Sequence, residues 1–210
     1  EMCIRDRDFA EEVAGVKSAD NISALFEFYT AYLHCTPKES TENFETFSSW
    51  AQTLLHDFNE IDRYLIDYKS FFGYLGSIQE MNHWYLQEER TPLMENYLSF
   101  WNKLPLYYEQ LRKQLENRGL AYQGMVYRKA SENIDSYLQQ VERSHVFLGF
   151  NALNTAEQEI LQKMMSAGKA EVFWDADKTF LEDPQHEVSL FLRQYLRNWP
   201  VYENRELKIT

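Results

Sequence analysis

The stretch from Ser144 to Asp177 constrains the fold more than any other part of the chain. Val146, Phe147 and Leu148 form a short apolar run that stops at Gly149, the pattern of a strand buried on both faces. Asn154 and Thr155 come next, with Glu157 three positions after Asn154, a helix-start signature. Ile160, Leu161, Met164 and Met165 then keep helical spacing, and Gly168 stands where a left-handed helix C-terminus is wanted. Ala170 to Trp174 reads as a second strand and runs into Asp175-Ala-Asp177. A strand, a helix and a strand in so few residues make a βαβ unit, which sets its two strands parallel in one sheet.

Everything ahead of that unit reads as helix. Asp20 precedes Ile22, Leu25, Phe26, Tyr29 and Leu33, an amphipathic spacing with Asp20 near the N-cap. From Thr41 on, Phe44, Phe47, Ala51, Leu54, Leu55 and Phe58 line one face, broadened by Trp50. So aromatic a stripe reads as core. Gly73 and Gly76 are expected to break the next region into short helices, and Pro105 to kink or restart the one after it. A last helix is expected from about 121 to 141, then the βαβ unit, then a helix over 186–199 stopped by Pro200.

Hydrophobic residues make up 44% of the chain and aromatic residues 16%, ample for a packed core and too many for a disordered chain. The formal net charge of −12 gives no bulk attraction to phosphate backbones, so any nucleic-acid contact must be local. Cys3 and Cys35 offer neither a disulfide framework nor a metal spacing, which fits a reduced, cytoplasmic setting. No run of about 18 apolar residues is present, so no membrane partner is expected. The chain opens with Glu1-Met-Cys-Ile-Arg-Asp-Arg7, different in character from the rest of the chain, and ends on Lys208-Ile-Thr210 in the manner of a further element. A fragment is therefore expected, with residues 1–8 a junction, 9–143 a helical subdomain and 144–210 a partial α/β unit.

Motifs that would carry catalysis are missing. The sequence has no G-x-x-x-x-G-K-[ST] and no G-x-G-x-x-G. Asp57, Glu60 and Asp62 crowd one short segment, but Ile61 and Asp62 occupy the fifth and sixth positions of an EF-hand count, where a ligand and a glycine are needed. Those carboxylates read as helix-end caps and surface ion pairs. His34, His56, His83, His145 and His186 are scattered and read as structural. Glu206-Leu-Lys208 has the E-x-K form of a metal nuclease, yet no Pro-Asp pair precedes it. The strand ends are more suggestive, because open parallel sheets bind ligands beyond the carboxyl ends of their strands. Gly149, Phe150 and Asn151 stand at one such end, and Asp175 and Asp177 at the other. The two aspartates could hold Mg²⁺ or cap the following turn.

The string His145-Val-Phe-Leu-Gly-Phe-Asn-Ala-Leu-Asn154 with Glu157, followed by Phe173-Trp-Asp-Ala-Asp177, resembles the AddB-like subunit of bacterial ATP-dependent helicase–nucleases. More narrowly, it is similar to a branch of large bacterial proteins of the PD-(D/E)XK nuclease family. Trp50 with Leu54-Leu-His-Asp-Phe-Asn-Glu-Ile-Asp-Arg-Tyr64, and Gly119-Leu-Ala-Tyr-Gln-Gly-Met-Val-Tyr-Arg128, are similar to that branch as well. The resemblance covers roughly residues 9–200. It implies a degenerate UvrD/Rep-like helicase region, mostly α with a small parallel α/β part. The helical subdomain would be an insertion (1B-like), and residues 144–210 the later portion of a RecA-like, P-loop NTPase-like sheet (1A-like). Gly149, Phe150 and Asn151 would then stand where an active helicase carries its Walker B Asp-Glu pair. Asp175 and Asp177 resemble the acidic residues of the next helicase motif, with Lys178 where a Gln is usual. The Walker A loop and the nuclease motif would lie outside this chain.

The expectation is thus a non-catalytic, helicase-like scaffold from a bacterial helicase–nuclease of DNA double-strand-break repair and recombination. The parent would be a PD-(D/E)XK nuclease, any Mg²⁺ would belong to that parent, and this chain would carry no cofactor. Its partners would be the rest of the parent chain, DNA reached through the parent, and a helicase–nuclease partner subunit. Lys103, Arg112, Lys113, Arg118, Arg128 and Lys129 fall on the last long helices before the βαβ unit and are the candidate DNA contacts. The alternative is a free-standing helical adaptor that binds protein through its aromatic faces. Without a phosphate cradle or an acidic pair for Mg²⁺, ATP hydrolysis cannot be assembled from these residues. In isothermal titration calorimetry the chain is expected to bind ATP–Mg²⁺ no more tightly than millimolar, and a micromolar isotherm would overturn that expectation.

Overall fold

Side-chain caps set the helix starts in the first of two compact units, residues 1–128. The structure, a computed structural model, describes residues 4–84 and 92–203, without the side chains of 79–84 and 92–98. Cys3, the Glu206-Leu-Lys208 string and the side chain of His83 lie outside the described residues. Helix α1 (Asp6–Ala14) begins with Asp6 and Asp8 in its first turn, where the helix dipole favours negative charge. Strand β1 (Lys17–Ser18) is next. Asp20 caps α2 (Asn21–Cys35) by accepting from the backbone of Ile22 at 3.0 Å and Ser23 at 2.9 Å. Asn43 caps α3 (Phe44–Arg63) by accepting from Thr46 N at 2.9 Å. After these come α4 (Tyr68–Trp84), α5 (Pro92–Glu116), β2 (Leu120–Ala121) and α6 (Gln123–Gln140).

Several expectations fail in this unit. Helix α4 runs unbroken through Gly73 and Gly76, and α5 runs through Pro105 without restarting. Helix α5 packs along both α2 and α4, and buries Leu104, Tyr107, Tyr108, Leu111 and Leu115. That much tertiary packing outweighs the lost hydrogen bond of one proline. The region ahead of the βαβ unit is also not purely helical. Strands β1 and β2 pair in parallel, Lys17 opposite Leu120 and Ser18 opposite Ala121. At two residues each they are too short to show any periodicity.

Helix α2 departs furthest from its reading. Its core face is Ala24, Leu25, Phe28, Ala31 and Tyr32, and of the expected stripe only Leu25 is buried. Phe28 sits at the centre, fully buried, with ring centroids 5.2 Å from Phe47, 5.6 Å from Phe58 and 6.2 Å from Trp50. The face expected for α3 is borne out in large part, with Phe47, Ala51, Leu54 and Phe58 buried.

Residues 129–210 form the second unit, so the division falls inside α6, ahead of the boundary at 143 read from the sequence. The unit holds β3 (His145–Leu148), α7 (Thr155–Ser166), β4 (Ala170–Phe173), α8 (Lys178–Glu182) and α9 (Leu190–Asn198). Strands β3 and β4 are parallel neighbours in register His145↔Ala170 through Leu148↔Phe173, as the βαβ reading requires. Asn154 and Glu157 form the capping box, each side chain accepting the other's backbone N–H at 2.9 Å. Gly168 adopts φ 68 in the left-handed region. Trp174, Tyr195, Trp199 and Tyr202 pack ring on ring, and the Trp174 indole donates to the Tyr202 hydroxyl at 2.9 Å.

The sheet is not buried on both faces as read. Val146, Leu148 and Phe173 are each more than half exposed, whereas His145, Phe147 and Val172 on the other face are partly covered. Helix α7 packs against β4 and supplies one layer only.

Helices α3 and α6 approach closely at Gly124. Its N–H donates to Asn59 Oδ1 at 2.6 Å, and a Cβ built there would lie 2.2 Å from the Asn59 carbonyl oxygen. Backbone cannot yield as a flexible side chain does. Gly124→Ala is therefore expected to cost about 2 kcal/mol of unfolding free energy, read from the urea midpoint. Gly73→Ala, with open space at the same distance, is expected to leave the midpoint unchanged or raised.

Candidate functional site

The parallel register brings the carboxyl ends of β3 and β4 to the same end of their sheet. Gly149 at φ 78 turns the chain out of β3. The Phe150 ring lies 6.1 Å from that of Phe147, and Asn151 is exposed. At the end of β4, Asp175 is exposed, while Asp177 accepts from Thr179 N at 2.7 Å and caps α8. Asp177 thus has the capping role that its sequence position allowed. Among the described residues no group of three or more His, Cys, Asp or Glu is placed to hold a metal ion.

The six basic candidates do not behave alike. Arg112 and Arg128 turn inward to Asp62, which is 0% exposed. Arg128 Nε donates to Asp62 Oδ1 at 2.5 Å, and its Nη2 donates to the carbonyls of Ile61 at 2.9 Å and Ile66 at 2.8 Å. The hydroxyls of Tyr108 and Tyr122 also donate to Asp62, one to each oxygen. Arg112 Nη1 lies 3.7 Å from Asp62 Oδ1 and donates to Tyr108 Oη at 3.0 Å, its guanidinium 5.4 Å from the centre of that ring. Arg118 pairs with Glu27 of α2, which also accepts from Gln114 at 3.1 Å. Lys103 and Lys129 are half-buried, and Lys113 is exposed.

Asp62 is accordingly not the surface group read from the sequence. Glu60 and Asp57 are: Glu60 pairs with Arg63 at 3.2 Å, and Asp57 with His56 at 4.0 Å. Asp62 differs by its place in the helix. With Phe58 and Ile61 it continues the inward face of α3. The missed signal was periodicity, since Phe58, Ile61 and Asp62 keep the i, i+3, i+4 spacing of the apolar stripe before them. A carboxylate so enclosed and so fully bonded is a strut and not an acid or base for chemistry, because no substrate can reach it.

Of the histidines, His145 lies 2.9 Å from the Tyr137 hydroxyl, and His186 accepts from Val188 N at 3.3 Å. His56 and His34 are on the surface.

Compared with models of known protein families, with curated proteins and with solved structures, the chain matches none.

Burial pushes the Tyr108 and Tyr122 hydroxyls well above the ordinary tyrosine value of 10.0, and the Asp62 charge pushes them further. Groups whose pKa is raised by folding contribute stability that is whole below about pH 10 and lost as pH climbs above it. Each should remove about 1.4 kcal/mol per pH unit once the unfolded chain ionises. Tyr122→Phe should lower the unfolding free energy at pH 7 by about 1–3 kcal/mol. It should also make the alkaline decline shallower by one such slope, measured as urea midpoints from pH 8 to 11.

Proposed function

We propose that the chain is a non-catalytic, helicase-like module of a bacterial helicase–nuclease, and that its work is structural. The observation that carries this reading is the parallel β3–α7–β4 unit, preceded by a helical unit and leaving open a sheet face that holds Val146, Leu148 and Phe173 beside Glu171. Parallel strands are ordinarily covered on both faces, and two strands do not make a stable sheet alone. A larger RecA-like sheet in the parent would supply the missing layer. The strand ends at Gly149–Asn151 and at Asp175 and Asp177 would then face the cleft where an active relative binds nucleotide, here without the acidic pair that holds Mg²⁺. Any catalytic metal belongs to the parent.

Within the first unit the DNA-contacting part of the proposal narrows to Lys103 and Lys113, because Arg112, Arg118 and Arg128 are held by carboxylates, while Lys129 falls in the second unit. Ten positions apart on α5, the two lysines lie roughly 15 Å apart along its axis and about 80° apart around it. They could touch two phosphates and could not read a base sequence. A second reading, a protein-binding adaptor, is favoured by the apolar surface left open on α2.

Fluorescence anisotropy with a labelled forked duplex separates the two. Two phosphate contacts predict an affinity that falls about tenfold between 50 and 200 mM salt. Lys103→Glu with Lys113→Glu should abolish that salt dependence while leaving the thermal melt in place. If the unaltered chain shows no binding at tens of micromolar, the adaptor reading stands and DNA contact is withdrawn.

A further inference from the structure

Helix α2 is apolar on two faces. One, built on Ala24, Leu25, Phe28, Ala31 and Tyr32, fills the core of the first unit. The other consists of Ile22, Phe26, Tyr29 and Leu33, spaced i, i+4, i+7 and i+11, a narrow straight stripe. Ile22 is 69% exposed, Phe26 53% and Leu33 42%. Phe44, the first residue of α3, extends the stripe sideways, its ring stacked on Phe26 at 4.9 Å and 9°. The Tyr29 hydroxyl donates to the Glu42 carbonyl at 3.0 Å, which fixes the turn between the helices beside the stripe. Apolar helix faces are normally enclosed, and of the two on α2 only one is enclosed among the described residues.

The charges around the stripe say what would enclose it. On residues 20–45 the exposed carboxylates are Asp20, Glu39, Glu42 and Glu45, against one exposed amine, Lys38. The whole chain carries −12, so a second copy would bring like charge to the same rim. From Ile22 to Leu33 the stripe runs roughly 16 Å, the length of three helical turns. We infer that the Ile22–Phe26–Tyr29–Leu33 face of α2, with Phe44, docks a basic amphipathic helix of a partner protein. Its apolar side would carry residues at i, i+4 and i+7, and lysines or arginines would flank them to meet Glu39 and Glu45, the Glu42 carboxylate already accepting from the Trp50 indole at 2.8 Å. This is a helix laid along an apolar stripe, with specificity from the acidic margin. The inference does not rest on the helicase-like reading, since it uses neither strand ends nor DNA.

The full chain is titrated into a fluorescein-labelled model peptide of about 18 residues, long enough to hold a helix, with leucines on one face and lysines around them. A second peptide carries glutamate in place of every lysine. Saturable micromolar binding of the lysine peptide alone is expected. Ile22→Asp with Phe26→Asp should weaken it about tenfold or more, as loss of a buried anchor does. Both positions are largely exposed, so the circular dichroism melt should hold. Glu39→Lys with Glu45→Lys, which leaves the apolar stripe intact, should weaken binding and flatten its salt dependence. The proposal is overturned if both double variants bind like the unaltered chain. It is equally overturned if the glutamate peptide binds as well, or if the chain dimerises in analytical ultracentrifugation and Phe26→Asp alone makes it monomeric.

Discussion

The charge of Asp62 could not be buried alone. An isolated carboxylate in an apolar interior is among the costliest groups a fold can hold, and it is tolerated only when paired and fully hydrogen-bonded. In this chain it receives two tyrosine hydroxyls and one guanidinium directly, with a second guanidinium close by. Those donors come from α5, from the residue just ahead of α6, and from α6 itself. The arrangement also serves α3. Its C-terminal turn closes on the backbone, Leu65 at φ 52 and the Ile66 N–H donating to the Ile61 carbonyl at 2.9 Å, and Arg128 adds bonds to the carbonyls of Ile61 and, past the helix, Ile66. One charged cluster thus braces the turn after α3 and ties α5 and α6 to that helix. Buried ion pairs add little net stability over apolar packing. What this one adds is registry, since no other rotation of α3 would present Asp62 to all of its donors.

The same cluster joins two stretches that lie far apart in the sequence. Leu54–Tyr64 contains Asn59 and Asp62, and Gly119–Arg128 contains Tyr122, Gly124 and Arg128. The structure brings these stretches together twice, at the carboxylate and at the close approach of Gly124 to Asn59. Residues with such exacting neighbours cannot be exchanged freely. Those contacts are packing inside the first unit and say nothing by themselves about DNA.

Signals that act over four residues were legible in the sequence. The Asp20 cap, the Asn154–Glu157 box, the left-handed Gly168 and the parallel β3–β4 pair were all written in local spacing. What was not legible depended on partners far along the chain. On α2 either of two apolar faces satisfies the helical period, and only the placement of α3 and α5 decides that Phe28 goes in and Phe26 stays out. Gly73, Gly76 and Pro105 carry intrinsic penalties of a few kcal/mol at most, which packing along α4 and α5 exceeds. The basic residues of α5 and α6 resembled a nucleic-acid surface because sequence shows charge without direction. Position 62 lies 50 and 66 residues from the guanidines it binds, at 112 and 128.

That inward turn bears on what the outside of the molecule can attract. Arg112 and Arg128 spend their charge on a buried carboxylate, and Arg118 answers Glu27, itself nearly buried. Three of the 21 basic residues are thereby matched to only two of the 33 acidic ones, and among the described residues those two are the acids least exposed to solvent. The field seen by an approaching partner is therefore at least as negative as the formal −12. Such a field slows a polyanion and steers a polycation, over distances set by a Debye length of about 8 Å at physiological salt. Apolar side chains inside that range, as on the outer face of α2, would be reached first by ligands that are both basic and apolar. A nucleic acid would have to be delivered to Lys103 and Lys113 by neighbouring domains that overcome the repulsion.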